Sequence, residues 1–115
     1  MISIDFFYSI CDKKKRLIAF KIRGHGPEYI CSAISVLAIN TINCIERFTA
    51  DKFICDYKKS GGLIDFRLTN KNISREARIL IKALDFGLRD VYEKHRKFVS
   101  LKIKNLCESS SEVIV

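Results

Sequence analysis

The sequence predicts a two-layer α+β domain, an α/β sandwich of order ββαββαβ in which two helices cover one face of a mainly antiparallel sheet. Three features predict it. Apolar residues alternate with period two in several short segments, they recur near 3.6 residues in two long ones, and charged or glycine-rich turns lie between. At 115 residues and 13.3 kDa the chain suits one compact domain, read as 1–107 and followed by a serine-rich tail, 108–115, that is expected to fray.

The elements follow in order. Ile2, Ile4, Phe6 and Tyr8 alternate with Ser3, Asp5 and Phe7, and Ile18, Phe20 and Ile22 alternate with Ala19, Lys21 and Arg23. Between these strands the polar run Cys11-Asp12-Lys13-Lys14-Lys15-Arg16 predicts a solvated reversal and so a hairpin. Ile30, Ile34, Leu37, Thr41, Cys44 or Ile45, and Phe48 mark an amphipathic helix over about 27–48, with Pro27 and Glu28 in its first turn. Phe53, Cys55 and Tyr57, then Leu63, Ile64, Phe66 and Leu68, predict a second hairpin around Lys58-Lys59-Ser60-Gly61-Gly62. Ser74 suits the cap of a second helix whose apolar stripe is Ala77, Leu80, Leu84, Leu88, Val91 and His95, ending near Arg96. Val99, Leu101 and Ile103 predict the last strand.

Composition narrows the function classes. With 48% hydrophobic and 30% charged residues and a mean hydropathy of +0.04, the chain should collapse around a core. No stretch reads as the ~20 apolar residues of a membrane span, and Met1-Ile2-Ser3-Ile4-Asp5 does not read as a signal peptide, so neither membrane insertion nor secretion is expected. The five cysteines, Cys11, Cys31, Cys44, Cys55 and Cys107, are odd in number and widely spaced, which points to a reducing cytoplasm. Cys44 and Cys55 read as small packed residues. There is no C-x-x-C, and His25 and His95 lie far apart, so no metal or other cofactor is expected.

The net charge of +8 permits attraction to RNA or a ribonucleoprotein. Its basic residues are spread over Lys13 to Arg16, Lys58-Lys59, Lys94 to Lys97, Lys102 and Lys104, a distribution that also suits a solvated surface.

The segment Arg23-Gly24-His25-Gly26-Pro27-Glu28-Tyr29-Ile30-Cys31 joins a strand to a helix. Glycines on either side of His25 allow a sharp turn that presents its imidazole near solvent. Cys31 falls early in the helix, where the partial positive charge of the amino end favours a thiolate. Six residues of chain span at most ~20 Å, so a turn can bring imidazole and thiol together as base and nucleophile. The same residues also fit an ordinary turn histidine and a small apolar helix cysteine. His95 reads as a packed or half-exposed histidine.

At these residues the chain resembles the ribosomal-processing cysteine protease family, Prp. That family's pattern has a Gly-His pair after the second strand, matched by Gly24-His25, and a helix opening matched by Glu28-Tyr29-Ile30-Cys31-Ser32-Ala33-Ile34-Ser35. Ile81-Lys82-Ala83-Leu84-Asp85-Phe86-Gly87-Leu88 and Phe98-Val99-Ser100-Leu101 extend the resemblance over most of the chain. It implies Cys31 as nucleophile and His25 as base, with Gly24, Glu28 and Ser35 at the other motif positions. It further implies a homodimeric α/β sandwich that removes an N-terminal extension from a large-subunit ribosomal protein precursor. The loop from His25 to Cys31 is shorter than in the family, and Glu28 stands in place of an aspartate. The alternative is an inactive or non-enzymatic ribosome- or RNA-associated binding module with the same fold.

Overall fold

The computed structural model describes residues 1–11, 13–58 and 62–106. Cys107 and the expected tail lie outside the described residues, as do Asp12 in the first turn and Lys59, Ser60 and Gly61 in the second. The elements are β1 (Ile2–Cys11), β2 (Lys14–Gly24), α1 (Glu28–Phe48), β3 (Phe53–Lys58), β4 (Leu63–Leu68), α2 (Arg75–Lys94) and β5 (Val99–Asn105). The order is the expected ββαββαβ.

One five-stranded sheet has the strand order β3-β4-β2-β1-β5. The β1/β2, β2/β4 and β3/β4 pairs are antiparallel, while β5 runs parallel to β1, so the sheet is mixed and mostly antiparallel. The parallel strand follows from α2, which supplies the crossover that a parallel neighbour requires. The first hairpin is tighter than the polar run suggested. Its pairing continues to Cys11↔Lys14, with Lys13 in the left-handed region at φ 64°. Register also shifts between Phe7↔Ala19 and Tyr8↔Leu17, leaving Ile18 as a bulged extra residue on β2.

The core lies between the sheet and the helices. Ile2, Ile4 and Phe6 of β1, Phe20 and Ile22 of β2, and Ile64, Phe66 and Leu68 of β4 are buried as their alternation requires. From α1 come Ile30, Ile34, Ala38, Thr41 and Ile45; from α2 come Ala77, Ile81, Leu84 and Leu88. The expected stripes are corrected in part: Phe48, expected on the α1 stripe, is 67% exposed at the end of the helix, and one position in each helix moves by a residue. Ala38 and Ile81 are fully buried where Leu37 and Leu80 were expected, because both leucines sit at the flank of the contact. Cys55 is exposed and not packed, since β3 is an edge strand with a neighbour on one side only, and Cys44 is half-buried.

Pro27 caps α1 and does not enter its first turn, whereas α2 starts as expected, with Ser74 Oγ accepting from Ala77 N at 3.1 Å. It stops at Lys94. His95 is the half-buried cap residue, its ring edge-on to Tyr29 with centroids 5.8 Å apart. By length and hydropathy α1 could cross a bilayer, contrary to the expectation that no stretch would, yet it lays its buried face on the sheet as a core helix.

Buried Asp51 joins the end of α1 to the start of α2. Its carboxylate accepts from Asn70 Nδ2 at 2.7 Å, from Ser74 N at 2.9 Å and from Ser74 Oγ, and its own N–H donates to Thr49 Oγ1 at 3.1 Å. Burial by itself would raise the pKa, but the bonds from Ser74, Asn70 and Thr49 together outweigh it and hold the carboxyl below its ordinary 3.8. A carboxyl whose folded pKa is depressed adds stability above its unfolded value, and that stability is lost as pH falls through the lower folded value. Asp51→Ala should therefore cost about 2–3 kcal/mol in urea unfolding at neutral pH, with the gap to wild type closing below the ordinary value. A gap that stays constant down to acid denaturation would exclude the ionised carboxylate as its source.

Candidate active site

The site is built where β2 ends and α1 begins. Gly24, the last residue of β2, pairs with Ile2 at φ +96°, and a Cβ there would collide with the Met1 carbonyl oxygen. Only glycine closes the ladder at this point. The next residue, His25, is exposed, with its carbonyl accepting from the Met1 amino group at 3.0 Å. Three residues on, α1 opens behind Pro27, which offers no side-chain acceptor to the helix. The Pro27 carbonyl accepts from Ile30 N and Cys31 N, both at 3.0 Å. The Glu28 and Tyr29 N–H groups are left without an acceptor among the described residues.

Gly24, His25, Glu28, Cys31 and Ser35 all line one pocket of about 260 Å³. The motif residues singled out by sequence therefore converge. Ile2, Ile22, Ile34, Leu63 and Ile64 supply its apolar lining, while Tyr57 and Lys58 bring in the end of β3. Cys31 is half-buried and Ser35 lies one turn further along α1, as expected. The thiol is not bonded to the imidazole. Cys31 Sγ donates instead to the Gly26 carbonyl oxygen at 3.5 Å, and among the described residues neither His25 nor Glu28 makes a side-chain hydrogen bond within the site. Among the same residues no group of three His, Cys, Asp or Glu side chains is placed to hold a metal ion.

Sequence reasoning treated Gly62 only as a turn residue, but it backs His25. At φ +60°, a Cβ on Gly62 would come within 2.7 Å of the Gly24 carbonyl oxygen and 2.9 Å of His25 Cε1. The second hairpin thereby limits where the imidazole can stand. The Gly61-Gly62 pair was the available signal, although nothing local in it points across the sheet. Tyr57 and Lys58 were also missed as site residues, since alternation alone does not tell which strand end borders a pocket.

A half-buried thiol in the first turn of a helix, an imidazole on the same pocket and an acceptor-free N–H group at Glu28 are the parts that acyl transfer to sulfur needs. A family model described as cysteine protease Prp matches residues 1–100. No curated protein matches the chain. Among solved structures, a Staphylococcus aureus ribosomal processing protease Prp with a covalently linked product peptide is similar at TM-score 0.78 and 21% identity, covering 90% of this chain and 100% of that one. The S. aureus protease with a substrate peptide gives TM-score 0.78 at 20% identity, with coverage of 90% and 100%. A Streptococcus mutans protein gives 0.72 at 22% identity, covering 91% of this chain and 95% of its own. At these identities the structures establish the shared fold.

Gly62→Ala tests the backing of the imidazole. The left-handed backbone alone should cost about 1–2 kcal/mol in chemical unfolding. The His25 ring resonances should also shift in NMR spectra, while those of His95 stay in place. Unmoved His25 signals would mean that Gly62 serves the turn alone.

Proposed function

Because the chain belongs to the cysteine protease Prp family, we propose that it is an endopeptidase that removes the N-terminal extension of a large-subunit ribosomal protein precursor, with Cys31 as nucleophile and His25 as base. The observation that carries this reading is the convergence of Gly24, His25, Glu28, Cys31 and Ser35 on a single pocket. The similar S. aureus protease holds a substrate peptide in one structure and a covalently linked product peptide in another, which supports a peptide as the occupant here.

The reaction starts from the contact between Cys31 Sγ and the Gly26 carbonyl. Substrate binding breaks it, and the thiol proton passes to the His25 imidazole. The thiolate then attacks the scissile carbonyl carbon, forming a C–S bond while the carbonyl electron pair moves to oxygen. The N–H of Glu28, a residue lining the pocket, has no acceptor among the described residues and is the donor we assign to this oxyanion. Collapse of the intermediate breaks the C–N bond as imidazolium protonates the leaving amine. Water deprotonated by His25 then attacks the thioester carbonyl, releasing the carboxyl product and the Cys31 thiol.

Glu28 orients the peptide or favours the helix start through its charge, and Ser35 borders the thiol one turn away. The short segment from His25 to Cys31 leaves little chain to move aside, so substrate reaches the site from the side of Tyr57 and Lys58. We assign the protein to the cytoplasm, in keeping with three free cysteines among the described residues. We also assign it a homodimeric state, supported by Val36 and Phe86, which stand 67% and 80% exposed on the two helices.

Intact mass of the precursor after incubation with the protein should fall by a defined N-terminal segment. Cys31→Ala should abolish the change, and His25→Ala should slow it by about 10³-fold or more. Cys55 provides an internal comparison for thiol reactivity. Partial desolvation, with Asp56 and Asp65 adding to it, pushes its pKa above the ordinary 9.0. Iodoacetamide at neutral pH should label Cys31 at least about tenfold faster than Cys55, read by peptide mass mapping. An uncleaved precursor with equal labelling rates would favour the inactive binding module.

A further inference from the structure

A cationic groove of about 400 Å³ lies where the start of β2 meets the first turns of α2. Lys14, Lys15 and Arg16 line it from the strand, and Arg75, Arg78 and Lys82 from the helix. None of the six is ion-paired among the described residues, whereas other cations of the chain are matched, as in Arg89–Asp85 and Lys94–Asp90. Lys15 is partly engaged, its Nζ 4.7 Å from the Tyr8 ring centroid, and the cations crowded along the rest of the groove repel one another unless an anion is brought to them. Arg78 adds a second observation, because its Nε is buried without a hydrogen-bond acceptor among the described residues.

We propose that this groove docks the phosphate backbone of RNA. The choice of RNA as the source of phosphate rests on the ribosomal reading above, while the choice of a polyphosphate rests on the groove itself. Arg75, Arg78 and Lys82 follow one another at helix spacing over about 10 Å, which suits anions repeated along a strand. Three guanidinium groups offer paired donors that match phosphate oxygens. The apolar contribution is confined to Leu17 and Ile79, too little for the buried centre of a protein interface or for a membrane anchor.

The groove does not belong to the peptide site. Arg16 and Gly24 are eight residues apart on β2, which places the two sites about 26 Å apart along the strand. RNA held at one end of the sheet leaves the thiol and imidazole at the other end open to a peptide.

Binding of a fluorescein-labelled RNA duplex of about 16 base pairs, followed by anisotropy across a salt series, tests the assignment. The exposed double variant Arg75→Glu/Lys82→Glu should weaken binding by at least about tenfold and flatten the log–log salt slope by about 2. Arg47→Glu/Lys52→Glu makes the same change in net charge away from the groove and should leave binding within about twofold. Arg78→Gln, checked for wild-type circular dichroism, should weaken binding without any charge reversal. Equal losses in the groove and control variants would overturn the groove in favour of diffuse charge. So would the absence of RNA binding at about 50 mM salt. Tighter binding of a DNA duplex, of phosphatidylserine vesicles or of polyglutamate would overturn the choice of RNA. Precursor cleavage by Arg75→Glu/Lys82→Glu in the absence of RNA, and RNA binding by Cys31→Ala, should both match wild type, so that failure of the groove and failure of the protease reading are told apart.

Discussion

Four phenylalanine rings, one on each of four neighbouring strands, hold the sheet in register. Phe53, Phe66 and Phe20 follow one another at centroid spacings of 5.0 Å, and Phe6 stands 5.9 Å beyond Phe20. Phe6↔Phe20 and Phe20↔Phe66 are also directly opposed residues, so ring packing and backbone pairing select the same alignment. Each ring pair adds about 0.5–1.5 kcal/mol beyond simple burial, and a slip of one residue would turn the whole row away from the helices. This alignment sets Ile2 opposite Gly24 and so decides where β2 stops. The positions of His25, of Pro27 and of the first turn of α1 all follow from that end point.

Most of this order is legible along the chain because it rests on local periodicity. Alternation located all five strands, and Ser74 marked the start of α2 because its hydroxyl has the cap geometry that the residue type suggests. The flanking glycines identified the turn at His25 for a steric reason, now visible as the close approach of Gly24 to Met1. The parallel course of β5 was not legible, since alternation specifies a buried face and not a neighbour or a direction. Nor was the exposure of Cys55, which follows from the place of β3 at the edge. Asp51 and Gly62 escaped for the same reason as each other: their partners lie far along the chain, in Asn70 and Ser74 for one and in Gly24 and His25 for the other.

The helix stripes show a finer limit of periodicity. Leu37 is larger and more apolar than Ala38, yet the alanine takes the centre of the α1 stripe. Close approach of the helices selects small residues at such points, and a hydropathy pattern favours the larger neighbour. The contact continues where Leu37 reaches the backbone of Gly87, at a distance of 3.6 Å from the place a Cβ would occupy. α1 can then carry Cys31 on a helix anchored along its length, which keeps the thiol at a fixed height over the sheet.

The bulge at Ile18 divides β2 into two stretches of opposite parity. Above it, even-numbered residues of β2 oppose the even-numbered Ile4 and Phe6; below it, odd-numbered Leu17 and Lys15 oppose Tyr8 and Ile10. Lys15 accordingly reaches the Tyr8 ring, with Nζ 4.7 Å from its centroid. Loss of Ile18 would restore unbroken alternation with Leu17 and Lys15 still opposite Tyr8 and Ile10, and so on the same face, while Phe20, Ile22 and Gly24 kept their partners. The strand can thus gain or lose that one residue in descent without moving either end: a single-codon deletion is absorbed at the bulge and leaves both the first hairpin and the turn at Gly24 facing as they do.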